Sequence, residues 1–188
     1  TFERAITDRT RAIFCESIAN PGGVVIDLPA IAAIAKKAGV PFIVDNTLAT
    51  PYLCRPKDFG ADIIVHSLTK FIGGHGNSIG GALVDCGTFD WMKSRHRYKT
   101  LVDPNASYNG MVLGETFGNF AFAIAARVMG LRDIGPAIAP LNAFLLLTGA
   151  ETLPLRMQRH CENALATAQF LEKHPKVSFV NYAGLPGN

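Results

Sequence analysis

The sequence predicts an α/β fold in which helices flank a mostly parallel β-sheet. Two observations carry this prediction. Short runs rich in valine, isoleucine and phenylalanine, at 11–15, 41–45 and 61–66, are typical of buried strands. A helical pattern over 28–38 separates the first two runs, and a helix is the usual connection between parallel strands. The 188 residues are enough for one such domain or one and a part.

The first helix has signals at both ends. Asp27 can cap its amino end, Pro29 stands where the first turn tolerates proline, and Gly39 closes it. Between these positions, alanine and isoleucine recur at helical spacing. We therefore expect a helix over 28–38 beside the strands.

A fourth strand is expected at 80–84, antiparallel to the strand before it. The link between the strands at 61–66 and 80–84 contains Gly73, Gly74 and Gly76. It is too short for a helical crossover, so the two strands should pair in opposite directions. The glycines would let the backbone pass close to a bulky ligand.

The rest of the chain is mainly helical by pattern. The periodicity predicts helices at 88–97, 115–127 and 155–174, a polar loop at 100–110 and a strand at 177–180. Prolines and glycines near 130–140 indicate a domain boundary. Residues 1–130 would be the carboxyl-terminal part of a large ligand-binding domain, and residues 131–188 linker helices and the start of a small domain. Because the chain begins at Thr1 and stops after a strand-like run, we expect a fragment of a longer polypeptide.

Composition disfavours several classes of protein. The hydrophobic fraction of 48% and the charged fraction of 18% are those of a folded globular protein. The net charge of +3 is small, so we expect no nucleic-acid partner. The longest apolar stretches are too short to span a bilayer. The four cysteines show no CxxC spacing, so we expect reduced thiols, no metal site and a cytoplasmic location.

Reactive side chains follow two of the predicted strands. Asp45 ends the strand at 41–45, and Ser67, Thr69 and Lys70 follow the strand at 61–66. If the strands are parallel, these side chains emerge at one edge of the sheet, where α/β proteins place their active sites. A lysine among hydroxyls, facing a carboxylate, suits pyridoxal 5′-phosphate (PLP) better than any other cofactor.

Each of these residues has an expected role. Lys70 would be the catalytic residue and form a Schiff base with the cofactor. Asp45 would hold the pyridine nitrogen protonated, and Ser67 and Thr69 would bind the phosphate. Asn20 lies in a predicted turn; it is either only a turn residue or a donor to the phenolic oxygen of the ring.

Other kinds of site fit the sequence less well. His66 is better explained as a satisfied, partly buried histidine than as a catalytic one, and Ser67 lies outside any GxSxG hydrolase elbow. The remaining histidines share no metal-ligand spacing. A nucleotide-binding Rossmann domain would need a GxGxxG fingerprint between a strand and a helix. A cofactor-free fragment or interaction module stays open as an alternative of another class.

Several segments form motifs that extend over nearly the whole chain: Asn20-Pro21, Val44-Asp45-Asn46-Thr47, Gly60-Ala61-Asp62, Ser67-Leu68-Thr69-Lys70, Gly73-Gly74-His75-Gly76, and Leu153-Pro154-Leu155-Arg156-Met157 with His160. Together they resemble the Cys/Met-metabolism family of PLP-dependent enzymes, which has the aspartate-aminotransferase-like fold (fold type I). Within that family, the segments 80–85, 89–91 and 115–118 are most similar to O-acetylhomoserine sulfhydrylases.

The resemblance implies a γ-replacement in which O-acetylhomoserine and sulfide give homocysteine and acetate. Lys70 would shuttle the protons, in a homotetramer built from dimers with shared sites. Cystathionine γ-synthase, cystathionine γ-lyase and methionine γ-lyase are alternatives within the family. The family's ring-stacking aromatic residue, phosphate-binding glycine loop and substrate-carboxylate arginine would lie outside this segment. We therefore expect the segment alone to be inactive.

Overall fold

The computed structural model describes residues 2–187 and contains one four-stranded sheet. Its strands are β1 (Ile13–Glu16), β2 (Phe42–Asp45), β3 (Ile63–Ser67) and β4 (Gly81–Asp85), in that order across the sheet. Strands β1, β2 and β3 are parallel, and β4 runs antiparallel to β3. The mostly parallel sheet and its antiparallel fourth strand are both confirmed.

Helices and turns make up most of the remaining structure. The α-helices are α1 (Phe2–Ala5), α2 (Leu28–Ala38), α3 (Thr50–Leu53), α4 (Lys99–Val102), α5 (Leu113–Phe117), α6 (Ala121–Ala125), α7 (Pro140–Glu151) and α8 (Leu153–Glu172). Single 3₁₀ turns lie at Pro56–Phe59, Met92–Ser94, Ala106–Tyr108 and Gly118–Phe120, and a π-helical segment spans Ala126–Ile134. Over residues 2–187, no helix has both the length and the apolar character that a membrane crossing needs.

Helix α2 connects β1 to β2 and confirms the helix predicted over 28–38. The Asp27 carboxylate accepts a hydrogen bond from the Ala30 backbone N–H at 3.0 Å, which satisfies a free donor of the first turn. Gly39 ends the helix at a φ of 64°, a left-handed conformation that glycine adopts without steric cost.

The strand residues alternate between two hydrophobic cores, one on each face of the sheet. On the first face, Phe42 and Val44 are fully buried and pack with the apolar side of α2. On the second face, Ile43 and Ile63 contact a cluster whose buried members also include Trp91, Leu101, Val102, Leu113, Ala121 and Ala125. Covering both faces is what a mainly parallel sheet requires.

The chain after β4 differs from the sequence prediction. The helix predicted at 88–97 is only the turn at Met92–Ser94. The loop predicted at 100–110 is partly helical, because it contains most of α4 and the 3₁₀ turn at Ala106–Tyr108. The Asp90 carboxylate accepts hydrogen bonds from the backbone N–H groups of Met92 and Lys93, at 3.1 and 3.2 Å. These bonds fix a tight turn in place of a regular helix.

The later elements are also partly different. The helix predicted at 115–127 is interrupted at Gly118, which has a positive φ of 58°, whereas α8 confirms the long helix predicted at 155–174. Pro140 begins α7, because the first helical position needs no backbone N–H. No strand forms at 177–180, where the described residues offer no neighbouring strand to pair with. The domain boundary near 130 stays a prediction.

Candidate active site

The carboxyl ends of the three parallel strands meet at one cavity of about 570 Å³. Glu16 ends β1 and pairs in register with Asp45, which ends β2, and Ser67 ends β3. Residues from the loops and from α8 complete the wall; the lining residues are Glu16, Ile18, Asn20, Asp45, Thr47, Leu48, Ser67, Lys70, Phe71, Gly74, Gly76, Arg156 and His160. The structure therefore brings Asp45, Ser67, Lys70 and Asn20 together at one cavity, and their roles stay predictions.

Asp45 lines the cavity with a carboxylate of which one oxygen is hydrogen-bonded within the described residues. Its Oδ1 accepts a hydrogen bond from the Thr47 backbone N–H at 2.9 Å, which fixes the orientation of the group. No donor or cation in residues 2–187 binds its second oxygen. A carboxylate left this way in a cleft is suited to a cationic N–H group of a ligand.

Lys70 lies in a tight turn that follows β3. The Lys70 N–H donates to the Ser67 carbonyl at 3.3 Å, and the Lys70 carbonyl accepts from Gly74 N–H at 2.8 Å. The side chain is exposed to the cavity, and it forms no ion pair in the described part of the chain. Its backbone is therefore fixed while its amine is free to react.

The two hydroxyls beside Lys70 have different surroundings. Ser67 lines the cavity, its backbone N–H donates to Thr47 Oγ1 at 2.8 Å, and its hydroxyl makes no hydrogen bond within residues 2–187. Thr69 Oγ1 donates to the Gly80 carbonyl at 3.2 Å and accepts from the Gly80 N–H at 3.1 Å. Thr69 is absent from the cavity wall, so its role in binding phosphate stays a prediction.

Asn20 reaches the cavity through a contact that the sequence interpretation missed. The Asn20 backbone N–H donates to Glu16 Oε2 at 2.8 Å, and the Asn20 side-chain amide makes no hydrogen bond within residues 2–187. The strand predicted at 11–15 stops before Glu16, whereas β1 includes it; a carboxylate directly after the apolar run at 13–15 was the signal for a strand end. The register with Asp45 puts two carboxylates side by side on the same face.

A buried polar network supports this edge of the sheet from the opposite face. Asn46 is fully buried; its Oδ1 accepts from Ser17 Oγ at 2.8 Å, and its Nδ2 donates to the carbonyls of Thr50 and Cys54 at 3.0 and 2.8 Å. Because every polar atom of the Asn46 amide is bonded, the network fixes the loops after β1 and β2.

His66 is buried, as the sequence interpretation expected. Burial lowers the pKa of His66 below its ordinary value of 6.5, and the nearby negative charge of Asp45 opposes that effect. Its Nδ1 has no hydrogen-bond partner among the described atoms, so the expected satisfied histidine is only half confirmed.

All four cysteines are free thiols, and burial raises the pKa of Cys15, Cys54 and Cys86 above the ordinary thiol value. Residues 2–187 contain no group of three or more histidine, cysteine or acidic side chains placed to hold a metal ion.

Arg156 and His160 line the cavity from α8 and were not among the predicted site residues. They occupy positions i and i+4, so they share one face of the helix. The ring centroids of His160 and Phe71, the residue after Lys70, are 5.6 Å apart. The motif that contains both residues was visible in the sequence, but their distance from Lys70 along the chain concealed their position at the site.

Comparison with known proteins agrees with this description. A family model described as Cys/Met metabolism PLP-dependent enzyme matches residues 1–188. The O-acetyl-L-homoserine sulfhydrylase of Leptospira meyeri is 50% identical over 192 residues, which cover 98% of this chain and 43% of that protein. The homocysteine synthase of Schizosaccharomyces pombe is 54% identical over 181 residues, which cover 96% and 42%. The chain thus spans less than half the length of these curated relatives.

A solved structure has the same fold. It is a crystal structure of an O-acetylhomoserine (thiol)-lyase from Campylobacter jejuni with N′-pyridoxyl-lysine-5′-monophosphate, and it superposes with a TM-score of 0.94 at 42% identity. The superposition covers all of this chain and 46% of that one. The predicted PLP-dependent fold is confirmed, and the chain belongs to the Cys/Met metabolism family of PLP-dependent enzymes.

Proposed function

We propose that the protein containing this chain uses PLP to replace the acetate of O-acetylhomoserine by sulfide, which gives homocysteine. The observation that carries the proposal is the meeting of Asp45, Ser67 and Lys70 in one cavity, each with a polar atom left free. The names of the curated relatives, O-acetyl-L-homoserine sulfhydrylase and homocysteine synthase, support the choice of substrates. The activity is proposed for the whole protein.

The residues of the cavity fit PLP in charge and in size. The free oxygen of Asp45 suits a protonated pyridine nitrogen, the amine of Lys70 suits the aldehyde, and the hydroxyl of Ser67 suits a phosphate oxygen. The volume of about 570 Å³ lies within the range of roughly 300–1,000 Å³ that small-molecule sites occupy.

The chain's own residues would then divide the work between binding and proton transfer. When bound, PLP withdraws electrons from the α-carbon and then the β-carbon of the amino-acid substrate. Asp45 would accept a charged hydrogen bond from the pyridine N–H, and the Thr47 N–H would hold its carboxylate in place. Ser67 and Thr69 would bind phosphate, and Asn20 would contact the phenolic oxygen.

Lys70 would move the protons of the reaction. Its amine can take a proton from the α-carbon and return protons later, while the bond between the γ-carbon and acetate breaks and the bond to sulfur forms. A flexible side chain on a fixed backbone turn suits this role, because the amine must reach more than one carbon atom while the Lys70 backbone stays in place.

The relatives' names favour sulfhydrylation over the reactions of cystathionine γ-synthase, cystathionine γ-lyase and methionine γ-lyase.

The assembly and the location of the protein are also proposals. A homotetramer is supported by large apolar side chains on α7, where Leu141, Phe144 and Leu147 are 66%, 64% and 68% exposed. A cytoplasmic location is supported by the four free thiols.

Borohydride reduction followed by peptide mass mapping tests the proposal. The complete protein is first incubated with PLP. We expect a phosphopyridoxyl adduct on its peptide that contains Lys70, and no adduct on the corresponding peptide of a Lys70→Ala variant. Product analysis should give homocysteine from O-acetylhomoserine and sulfide. If no adduct forms, the proposed PLP chemistry is wrong. If the adduct forms but the protein converts only cystathionine or methionine, the protein has one of the other activities of the family.

A further inference from the structure

Arg156 connects helix α8 to the turn that carries Lys70. Its Nη1 donates to the Phe71 carbonyl at 2.7 Å, and its Nη2 donates to the carbonyls of Ile72 and Gly149 at 3.2 and 2.7 Å. Its Nε donates to Thr152 Oγ1 at 3.0 Å. The bond to Phe71 joins residues 85 positions apart in the sequence.

The partners of this guanidinium are neutral. No carboxylate in residues 2–187 lies within ion-pair distance of it. The carbonyls of Phe71 and Ile72 accept no backbone hydrogen bond in the described chain, so Arg156 satisfies two consecutive acceptors that the turn leaves open. A planar fork of donors can do this, whereas the single ammonium group of lysine cannot hold the same geometry.

The helix and the turn also approach each other closely. A Cβ on Gly74 would lie 2.5 Å from Arg156 Nη1, and a Cβ on Gly149 would overlap the Gly73 carbonyl. Gly74 itself donates to the Lys70 carbonyl. The guanidinium therefore contacts the same short turn from which the Lys70 side chain enters the cavity.

We infer that Arg156 is a positioning residue that fixes the backbone turn of Lys70 and so sets the direction in which the Lys70 amine meets the cofactor. This inference rests on the proposed function of Lys70. Small displacements of a reacting group are expensive, since an error of about 1 Å can slow a reaction by roughly 10²-fold. A lysine at position 156 would keep the positive charge but could not form the hydrogen bonds that the guanidinium makes to the turn.

The test compares Arg156→Ala and Arg156→Lys with Arg159→Ala in the complete protein. Arg159 is a matched control, because it lies on the same helix and is largely exposed, and its one partner within residues 2–187 is Glu162 at 3.4 Å. The rate at which Lys70 captures added PLP is followed by absorbance and by borohydride trapping. Hydrogen exchange of the peptide over 68–76 is measured in parallel.

We expect capture about 10²-fold slower in both Arg156 variants, faster exchange over 68–76, and less than about twofold change in Arg159→Ala. Guanidinium ion should partly restore Arg156→Ala. If Arg156→Lys captures PLP and exchanges hydrogen over 68–76 at the wild-type rates, the inference is wrong. The Arg156→Lys variant alone is sufficient for this test if Arg156→Ala does not fold. If the wild type itself forms no adduct, the proposed function fails, while the exchange measurement still tests whether Arg156 holds the turn.

Discussion

Asp45 and Asn46 are neighbours in the chain, yet they belong to two differently built faces of the sheet. On the face of Asn46, every polar atom of the side chain is bonded inside the protein and the residue is fully buried. On the face of Asp45, one carboxylate oxygen, the Ser67 hydroxyl and the Lys70 amine have no partner among the described residues and border a cavity. Bonded polar groups stabilise the edge of the sheet, whereas free polar groups mark where a ligand belongs.

The largest effect should come from removing the charge on the cavity face. Asp45→Asn keeps the size of the side chain but weakens the hydrogen bond to the pyridine N–H. We expect kcat/KM for O-acetylhomoserine and sulfide to fall by about 10²–10³-fold, with little change in the free energy of unfolding. A wild-type rate in this variant would show that the comparison between the faces assigns Asp45 wrongly.

A change on the opposite face should act on stability. Asn46→Ala removes three hydrogen bonds and leaves the Ser17 hydroxyl and the Cys54 carbonyl without a partner, while the Thr50 carbonyl keeps its bond from the Cys54 N–H. We expect the free energy of unfolding to fall by about 3 kcal/mol, as measured by urea titration with circular dichroism. The PLP absorbance of the remaining folded protein should not change. Loss of PLP binding at unchanged stability would contradict this role.

The two hydroxyls beside Lys70 sharpen the comparison within one loop. Ser67→Ala removes a free hydroxyl from the cavity wall, and we expect the dissociation constant for PLP to rise about tenfold. Thr69→Val removes a hydroxyl that is already bonded to Gly80, so we expect a rise of only about threefold. Absorbance titration of the apoprotein measures both. Equal effects would mean that Thr69 binds the phosphate as strongly as Ser67 does.

The smallest effect concerns pH. Because burial lowers the pKa of His66 below 6.5, the unfolded chain takes up the proton first as the pH falls. The stability that depends on neutral His66 is present above pH 6.5 and is lost as the pH falls from there through the lowered pKa. A His66→Gln variant should therefore show a flatter decline of Tm on acidification below pH 6.5. Parallel declines in both proteins would contradict this explanation.

The sheet and α2 could be predicted because their signals are local. Asp27, Gly39 and the apolar runs determine these elements through neighbours in the sequence, and the structure confirms them. Elements after β4 were harder to predict. There, the Asp90 side chain competes for backbone N–H groups and Gly118 interrupts a helix, and neither effect follows from apolar periodicity.

The same distinction holds for the candidate site. Asp45, Ser67 and Lys70 follow predicted strands, so the rule for parallel sheets brought them together. Glu16 was missed because β1 extends one residue further than its apolar run. Arg156 and His160 come from a helix far along the chain, and only the tertiary packing of α8 brings them to the cavity.

The bond from Arg156 to the Lys70 turn also has a consequence for the order of folding. The pairing of Ser67 with Gly81 closes the loop around Lys70 over a short stretch of chain, which costs little entropy. The contact from Arg156 joins residues 85 positions apart, so closing that loop costs more entropy. We therefore expect the sheet to assemble before the lysine reaches its working position, and the ability to capture a cofactor to arise late in folding.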